Sequence, residues 1–428
     1  MPASGEYSNK ESSVDKTKLL WVYAGHQGLH WAIAGIAIPV LVLIFQSRGL
    51  NLQEIGFVMA VWVGSTAALE IPLGSVADKY GRKNTYLFSL IVNTLGCVAL
   101  YFATDLSLLL VAAFLLGGAR AIYSGTLDAW FYDSFHKTEG ELTYHQAISK
   151  VNVMVTVGLA LGSILGGWLP DYVVNSSLNI GSIYDLNIII IGFANMFLFV
   201  VTLIVIHEQK TQRHELPENE SKSIIHHSIA VIRESFTHDV LKRLMQTTLV
   251  YGLVLSSVET FWQPYLSEII SNSGYGVAVF GVISALYFLM SGASSLLSVQ
   301  LLRMFGGSHK MLMFATRALS GLAFIALAFT DNIHSFAMCY LTFFFLFTVG
   351  NNSERVLLND NTNESYRSTM LSVSSFVVTS GAVVASLLLG YISEQYGITI
   401  NWIMCGVLLI TTSVLFVFIP EKKEAAEA

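Results

Sequence analysis

The chain has 428 residues, of which 54% are hydrophobic and 12% charged; an ordinary soluble domain is roughly a quarter charged, so a water-soluble surface cannot be made from this composition. Its formal net charge is -6, and the Lys and Arg residues stand scattered at the ends of apolar runs without forming a basic patch, which excludes a nucleic-acid surface. Cys97, Cys339 and Cys405 each lie inside an apolar run with no CxxC or Cys/His spacing, which suggests neither a disulfide framework nor a zinc site.

Residues 1–18 read as a polar N-terminal tail. The apolar run after it is far longer than a signal-peptide core, so no cleaved leader is expected. Runs near 19 to 46, 54 to 77, 84 to 103, 106 to 132, 146 to 169 and 185 to 206 are each long enough to cross a hydrocarbon core of about 30 Å. They predict a first bundle of six helices over 19–207. A linker follows at 208–243, polar in HEQKTQRHELPENESKS and then amphipathic, with Ile225, Ile229, Ile232 and Phe236 at a helical spacing that suits the membrane surface. Runs near 244 to 270, 276 to 302, 309 to 329, 334 to 358, 368 to 393 and 399 to 419 predict a second bundle over 244–420, with 421–428 as a short tail. The expected fold class is therefore an all-α integral membrane protein of twelve transmembrane helices in two pseudo-symmetric six-helix bundles.

The basic residues support the even count. With both termini in the cytoplasm, Lys79, Arg82, Lys83, Lys137, Lys150, Lys210, Arg213, Lys222, Lys310, Arg367, Lys422 and Lys423 all face inward, as positive charge does in membrane proteins. The external loops then carry Arg48 together with Asp105, Asp171, Asp185 and Asp331. A weak internal repeat agrees with two halves: the segment from Tyr144 can be laid on the segment from Tyr366, bringing Gly158 and Gly167 onto Gly381 and Gly390. The compact loops suit a bacterial cytoplasmic (inner) membrane.

In the first span His26 and His30 share one face, with Gln27 and Trp31 beside them. No third ligand accompanies them, so packed hydrogen-bonding histidines are expected and no metal. Between the second and third spans stands GSVADKYGRKN, with Gly74, Asp78, Lys79, Gly81, Arg82 and Lys83. Gly81 permits a tight turn, the cations hold the loop at the cytoplasmic face, and Asp78 can pair with a cation or a helix amino terminus. The string resembles the GxxxDRxGRR-type signature in the same loop of the major facilitator superfamily, and with twelve spans and a central linker the resemblance covers essentially the whole chain.

That resemblance implies a secondary transporter whose two bundles rock about a central site, opening it to either side in turn. Asp78 would latch the cytoplasmic side against the start of the eleventh helix, near Ser365 and Arg367. The matching loop of the second half, LLRMFGGSHK, keeps Gly306 and Lys310 but has Arg303 near the place of the acid. In the fourth span RAIYSGTLDAWFYD resembles the helix-four motif of the drug:proton antiporter branch, with Arg120 as the match, although Gly125 comes five residues later and not four. The fifth helix is similar in flavour to that branch's signature through Gly158, Gly162, Gly166 and Gly167, without its Gly-Pro pair.

Charges within the hydrocarbon cost about 2.5 to 3.5 kcal/mol on insertion scales, so each one needs a reason. Arg120 lies about 20 Å from the cytoplasmic Asp133 by helical rise, near the midplane. It can bind an anionic group, tune a nearby acid or form a structural pair. Glu259, in VETFWQPY, is similarly deep and is the first candidate for binding and releasing a proton as the cavity changes sides. Asp128 and Glu70 lie nearer the cytoplasmic ends and are further coupling candidates, though structural pairing is their commoner role. Glu354 and Arg355 near the inner end of the tenth span suggest a network that closes the bundles. His30, Trp31, Trp62, Arg120, Tyr123, Trp262, Tyr287, Asn351 and Asn352 are candidates for a central cavity, since aromatics with a few polar groups suit an amphipathic organic solute.

The reading is proton-coupled efflux of small amphipathic or drug-like compounds. One alternative is proton-coupled uptake of a sugar, peptide or organic acid, and another is a non-transporting receptor or scaffold. An embedded enzyme is not supported, since GxxxxGK[ST] and HExxH are both absent. The implied partners are the lipid bilayer, a small-molecule substrate and protons, with no cofactor, for a monomer.

Overall fold

The computed structural model describes residues 15–176, 178, 180–208, 233, 237–271, 273–363 and 367–420, with only the backbone of 71, 72, 74–76, 78, 79 and 368. Among the described residues every regular element is helical. The first half contains α1 (Lys16–Ala37), α2 (Leu41–Ser47), α3 (Leu52–Tyr80), α4 (Arg82–Phe102), α5 (Leu106–Tyr123), α6 (Thr126–Lys137), α7 (Tyr144–Asn175) and α8 (Asp185–Val205). The second contains α9 (Asp239–Ile270), α10 (Ala278–Met304), α11 (His309–Leu327), α12 (Ile333–Val349), α13 (Asn351–Asp360), α14 (Arg367–Tyr396) and α15 (Ile398–Ser413), which runs into a 3-10 turn at Val414–Phe418. The fifteen helices make twelve membrane spans, because α1/α2, α5/α6 and α12/α13 are each one span in two pieces. Eleven of the spans have both the length and the apolar composition to cross a membrane. The twelfth, α9, has 32 residues and a polar middle: Ser256, Ser257, Glu259, Thr260 and Gln263.

Start signals are local. Asp15, Asn51, Asp105, Thr143, Ser308 and Asn332 each accept a backbone N–H in the first turn of the helix that follows, satisfying donors that lipid could not. The linker expected at 208–243 falls largely outside the described residues, including Ile225, Ile229, Ile232 and Phe236, and α9 starts five residues before position 244. Lys210, Arg213, Lys222, Lys422 and Lys423 also lie outside them.

Three spans expected as single helices are broken. The first breaks around Pro39, which cannot donate a helical hydrogen bond. The fourth breaks at Ser124 and Gly125, where Gly125 takes φ +70° and starts α6. The tenth breaks at Gly350, where a Cβ would stand 2.5 Å from Met313 Sδ. The fourth and tenth spans are equivalent in the two halves, so these breaks repeat.

Small residues bring backbones together within each half. Cβ atoms on Gly158, Gly162 and Gly166 of α7 would stand 2.2, 2.0 and 2.2 Å from carbonyl oxygens of α1, so this stripe is a packing surface in which helix backbones touch. Gly381 of α14 meets the Leu249 carbonyl of α9 in the same way, at 2.3 Å.

One end of the bundle is basic, with Lys16, Arg82, Lys83, Lys137, Lys150 and Lys310; the opposite, acidic end has Asp105, Asp171, Asp185 and Asp331. Its lone expected cation, Arg48, is paired with Asp185 at 2.5 Å. At the acidic end the halves meet closely. Cβ atoms on Gly56 and Gly167 would stand 2.2 Å from Ser386 O and 2.6 Å from Gly281 N. Gln263 of α9 donates to Ile38 O at 2.7 Å and accepts from Val42 N at 2.8 Å, so the polar backbone freed by the break at Pro39 is satisfied by the other half.

Candidate functional site

Inside the first half a cavity of about 220 Å³ is lined by Gln27, His30 and Trp31 of α1, Tyr86 of α4, Tyr123, Leu127 and Asp128 around the fourth-span break, and Ile148, Val151, Asn152 and Val155 of α7. His30 Nδ1 hydrogen-bonds Tyr86 Oη at 2.8 Å, and the His30 ring meets Trp31 and Tyr123 edge-on, at 5.4 and 4.8 Å between centroids. Asp128 accepts from the Tyr23 hydroxyl at 2.5 Å. His26 hydrogen-bonds Thr202 of α8 at 2.8 Å, while its ring, like that of His30, meets Tyr86, at 5.3 Å between centroids. Among the described residues no cluster of three or more His, Cys, Asp or Glu could hold a metal.

The break at Gly125 positions this wall. It ends α5 after Tyr123 and restarts the chain so that Leu127 and Asp128 face the same cavity as Tyr123. It also frees Ser124, whose hydroxyl donates to Glu70 of α3 at 2.8 Å.

Glu259 is the one exposed position between Val254 and Leu266, a stretch otherwise buried apart from half-buried Leu255. Arg120 of the other half lies within electrostatic reach of its carboxyl, as do Tyr251, Tyr287 and Tyr340. Its exposure is therefore to the space between the halves. Arg120 is itself exposed and lies within electrostatic reach of Tyr123 in the first half as well as of Glu259 in the second.

Other candidates are dispersed. Trp262 is 3% exposed and packs between Phe280 and Tyr340, at 5.7 and 5.3 Å. Trp62 is half-buried on α3 beside Gly117, away from the cavity lining. Tyr287 is half-buried against Phe344, at 4.3 Å. Asn352 donates to Ser298 at 3.4 Å.

Sequence reasoning missed Arg317. It lies in the middle of α11, 2% exposed, and donates to Phe347 O, to Asn351 Oδ1 at 3.1 Å and to Glu354 at 3.1 Å. Its guanidinium stacks on the Tyr251 and Phe347 rings at 4.5 and 4.6 Å. Asn351 in turn donates to Tyr251 Oη at 3.2 Å, and Thr248 donates to Glu354 at 2.9 Å. Glu354 was expected in a network closing the two bundles; these partners all belong to the second half, because the break at Gly350 turns it toward α9 and α11. The signal was one Arg within MLMFATRALSG. The two halves match here: in each, a polar cluster ties the first, third and fourth spans beside the fourth-span break.

At the basic loop Gly81 takes φ +96°. Glu208 accepts from the backbone N–H of Arg82 and Lys83 at 2.9 and 3.0 Å, capping α4. Arg82 pairs with Asp133 at 2.6 Å and Lys83 donates to Leu203 O at 2.9 Å. The side chains of Asp78 and Lys79, and all of Ser365, lie outside the described residues.

Residues 27–359 and 264–428 match the family model of the Major Facilitator Superfamily. The chain is 22% identical to the MFS-type transporter YxaM of Bacillus subtilis (strain 168), over 94% of this chain and 96% of that one. It is 26% identical to the class H tetracycline resistance protein of Pasteurella multocida, over 44% and 45%. Among solved structures the nucleoside transporter NupG superposes with a TM-score of 0.78 at 14% identity, covering 95% of this chain and 100% of that one. A bacterial homologue of the human lysosomal transporter Spinster, inward-facing and occupied, gives 0.73 at 14%, over 94% and 96%.

Proposed function

The chain belongs to the Major Facilitator Superfamily, and we propose that it is a proton-coupled secondary transporter that exports small amphipathic compounds by alternating access. The observation that carries this reading is Glu259, an exposed carboxyl in the middle of α9 with Arg120 of the other half within electrostatic reach. A carboxyl so placed can hold a proton on one side of the cycle and lose it on the other as its surroundings change with the arrangement of the halves. The cavity walled by His30, Trp31, Tyr86, Tyr123 and Asp128 offers flat aromatic surface with few polar groups, which suits a substrate part apolar and part polar.

On this reading the basic end is cytoplasmic, following the distribution of Lys and Arg, in a bacterial inner membrane. Gly74, Asp78, Lys79, Gly81, Arg82 and Lys83 then form the cytoplasmic latch, with Asp78 engaging the start of α14. Export draws support from the partial likeness to a tetracycline resistance protein. Proton-coupled uptake is the second reading, since the likeness to a nucleoside transporter concerns the fold, which serves both directions.

Direction is tested in cells by expressing the chain and following a fluorescent amphipathic dye. Lower steady accumulation that recovers when the proton gradient is collapsed supports export. Raised accumulation abolished by the same collapse establishes uptake and overturns it.

A further inference from the structure

Between residues that are both described, five hydrogen bonds join the halves, and all lie at the acidic end. Three of them share one chemistry. Asp171, near the end of α7, accepts from the backbone N–H of Val277 and Ala278 at 2.7 and 2.9 Å, at the start of α10. Glu394, near the end of α14, accepts from the backbone N–H of Leu52 at 2.9 Å, at the start of α3. Spans five and eleven are equivalent in the two halves, and so are spans two and eight. The two contacts are therefore images of each other under the two-fold relation.

Several helix starts are capped by the residue just before them: Asp105 for α5, Thr143 for α7, Asn332 for α12, and Asn51 for α3, where Glu394 adds a second acceptor. Helix α10 has no side-chain cap from its own N-cap, Val277. Its first donors are met by a carboxylate from the opposite half. A helix start presents about half a positive charge, and a carboxylate there is stabilised over a short range only. Such a cap holds when the halves touch and is lost once they separate. Beneath each cap the backbones pack at Gly167 against Gly281 and at Gly56 against Ser386.

We infer that Asp171 and Glu394 are reciprocal latches that hold the acidic end shut, each half capping a helix of the other. The inference rests on the alternating-access reading above, in which this end opens outward. Neutralising or truncating either latch then favours the outward-open arrangement.

The test is electron–electron distance measurement on the full chain in lipid nanodiscs, with Cys97, Cys339 and Cys405 replaced by Ser. Spin labels placed at Asn175 and Tyr275 report on α7 against α10, and labels at Ser47 and Gln395 on α2 against α14; all four positions are exposed. The expected result is one short distance for each pair in the parent protein. Asp171→Ala should raise the longer-distance population at the first pair about 3- to 30-fold, the range for a charge at a helix end, and Glu394→Ala should do so at the second. If either Ala variant aggregates, Asp171→Asn and Glu394→Gln are read in the same way. Unchanged distances at both pairs in the folded variants overturn the proposal. Because the distances are read without substrate or a proton gradient, a wrong assignment of transport direction or coupling leaves this result intact.

Discussion

Replacing Arg317 by Met keeps most of the side-chain volume and removes its charge and donors. The guanidinium is 2% exposed, and its loss leaves the Glu354 carboxylate with Thr248 alone. Breaking a buried ion pair costs about 3–5 kcal/mol because an uncompensated charge remains. The Glu354 side chain is 17% exposed, so about 3 kcal/mol is expected for Arg317→Met, and a similar loss for Glu354→Gln, which strands the cation. The double variant should lose about 2 kcal/mol less than the sum, which is the coupling in the cycle. Equilibrium unfolding in mixed micelles measures all four corners. Single losses that add within about 0.5 kcal/mol would show that the pair contributes nothing as a pair, and the network described around Tyr251 would lose its centre.

Gly162→Leu should abolish the folded yield, since even a Cβ there would stand 2.0 Å from the Ala32 carbonyl, whereas Gly292→Ala, whose nearest neighbour would be 3.7 Å away, should be tolerated; monodisperse yield after size exclusion separates the two. Trp31→Ala should raise the apparent KM for an amphipathic substrate about tenfold with little change in maximal rate, because it removes an aromatic wall of the cavity and no titrating group. A fall in maximal rate with KM unchanged would place Trp31 outside the binding surface.

The span count and the two-bundle fold were legible because each needs only apolar runs of bilayer length and a biased distribution of Lys and Arg. The breaks were not. Pro39 sits inside a run that stays apolar through it, while the polar residues after Gly125 and Gly350 read as no more than the inner end of a span; hydropathy does not record which backbone groups a neighbouring helix will satisfy, as Gln263 does at Pro39. At the candidate site His30, Trp31, Tyr123 and Asp128 come together around one cavity, because α1 packs along α7 and reaches the inner piece of the fourth span through long side chains such as Tyr23. Trp262 is a cavity candidate in the sequence for its aromatic ring; the ring packs instead in the core of the second half. Arg317 escaped notice because a single cation in an apolar run gives no periodic signal, and its acid lies a helix away at Glu354.

The central claim is proton exchange through Glu259, and substrate-induced proton movement in proteoliposomes tests it most directly. With an amphipathic compound imposed on one side, the wild type should move protons opposite to the compound. Glu259→Gln should still exchange labelled for unlabelled compound yet move no protons. Undiminished proton movement in that variant would contradict the account and pass the coupling role to another acid, with Asp128 and Glu70 the first to examine.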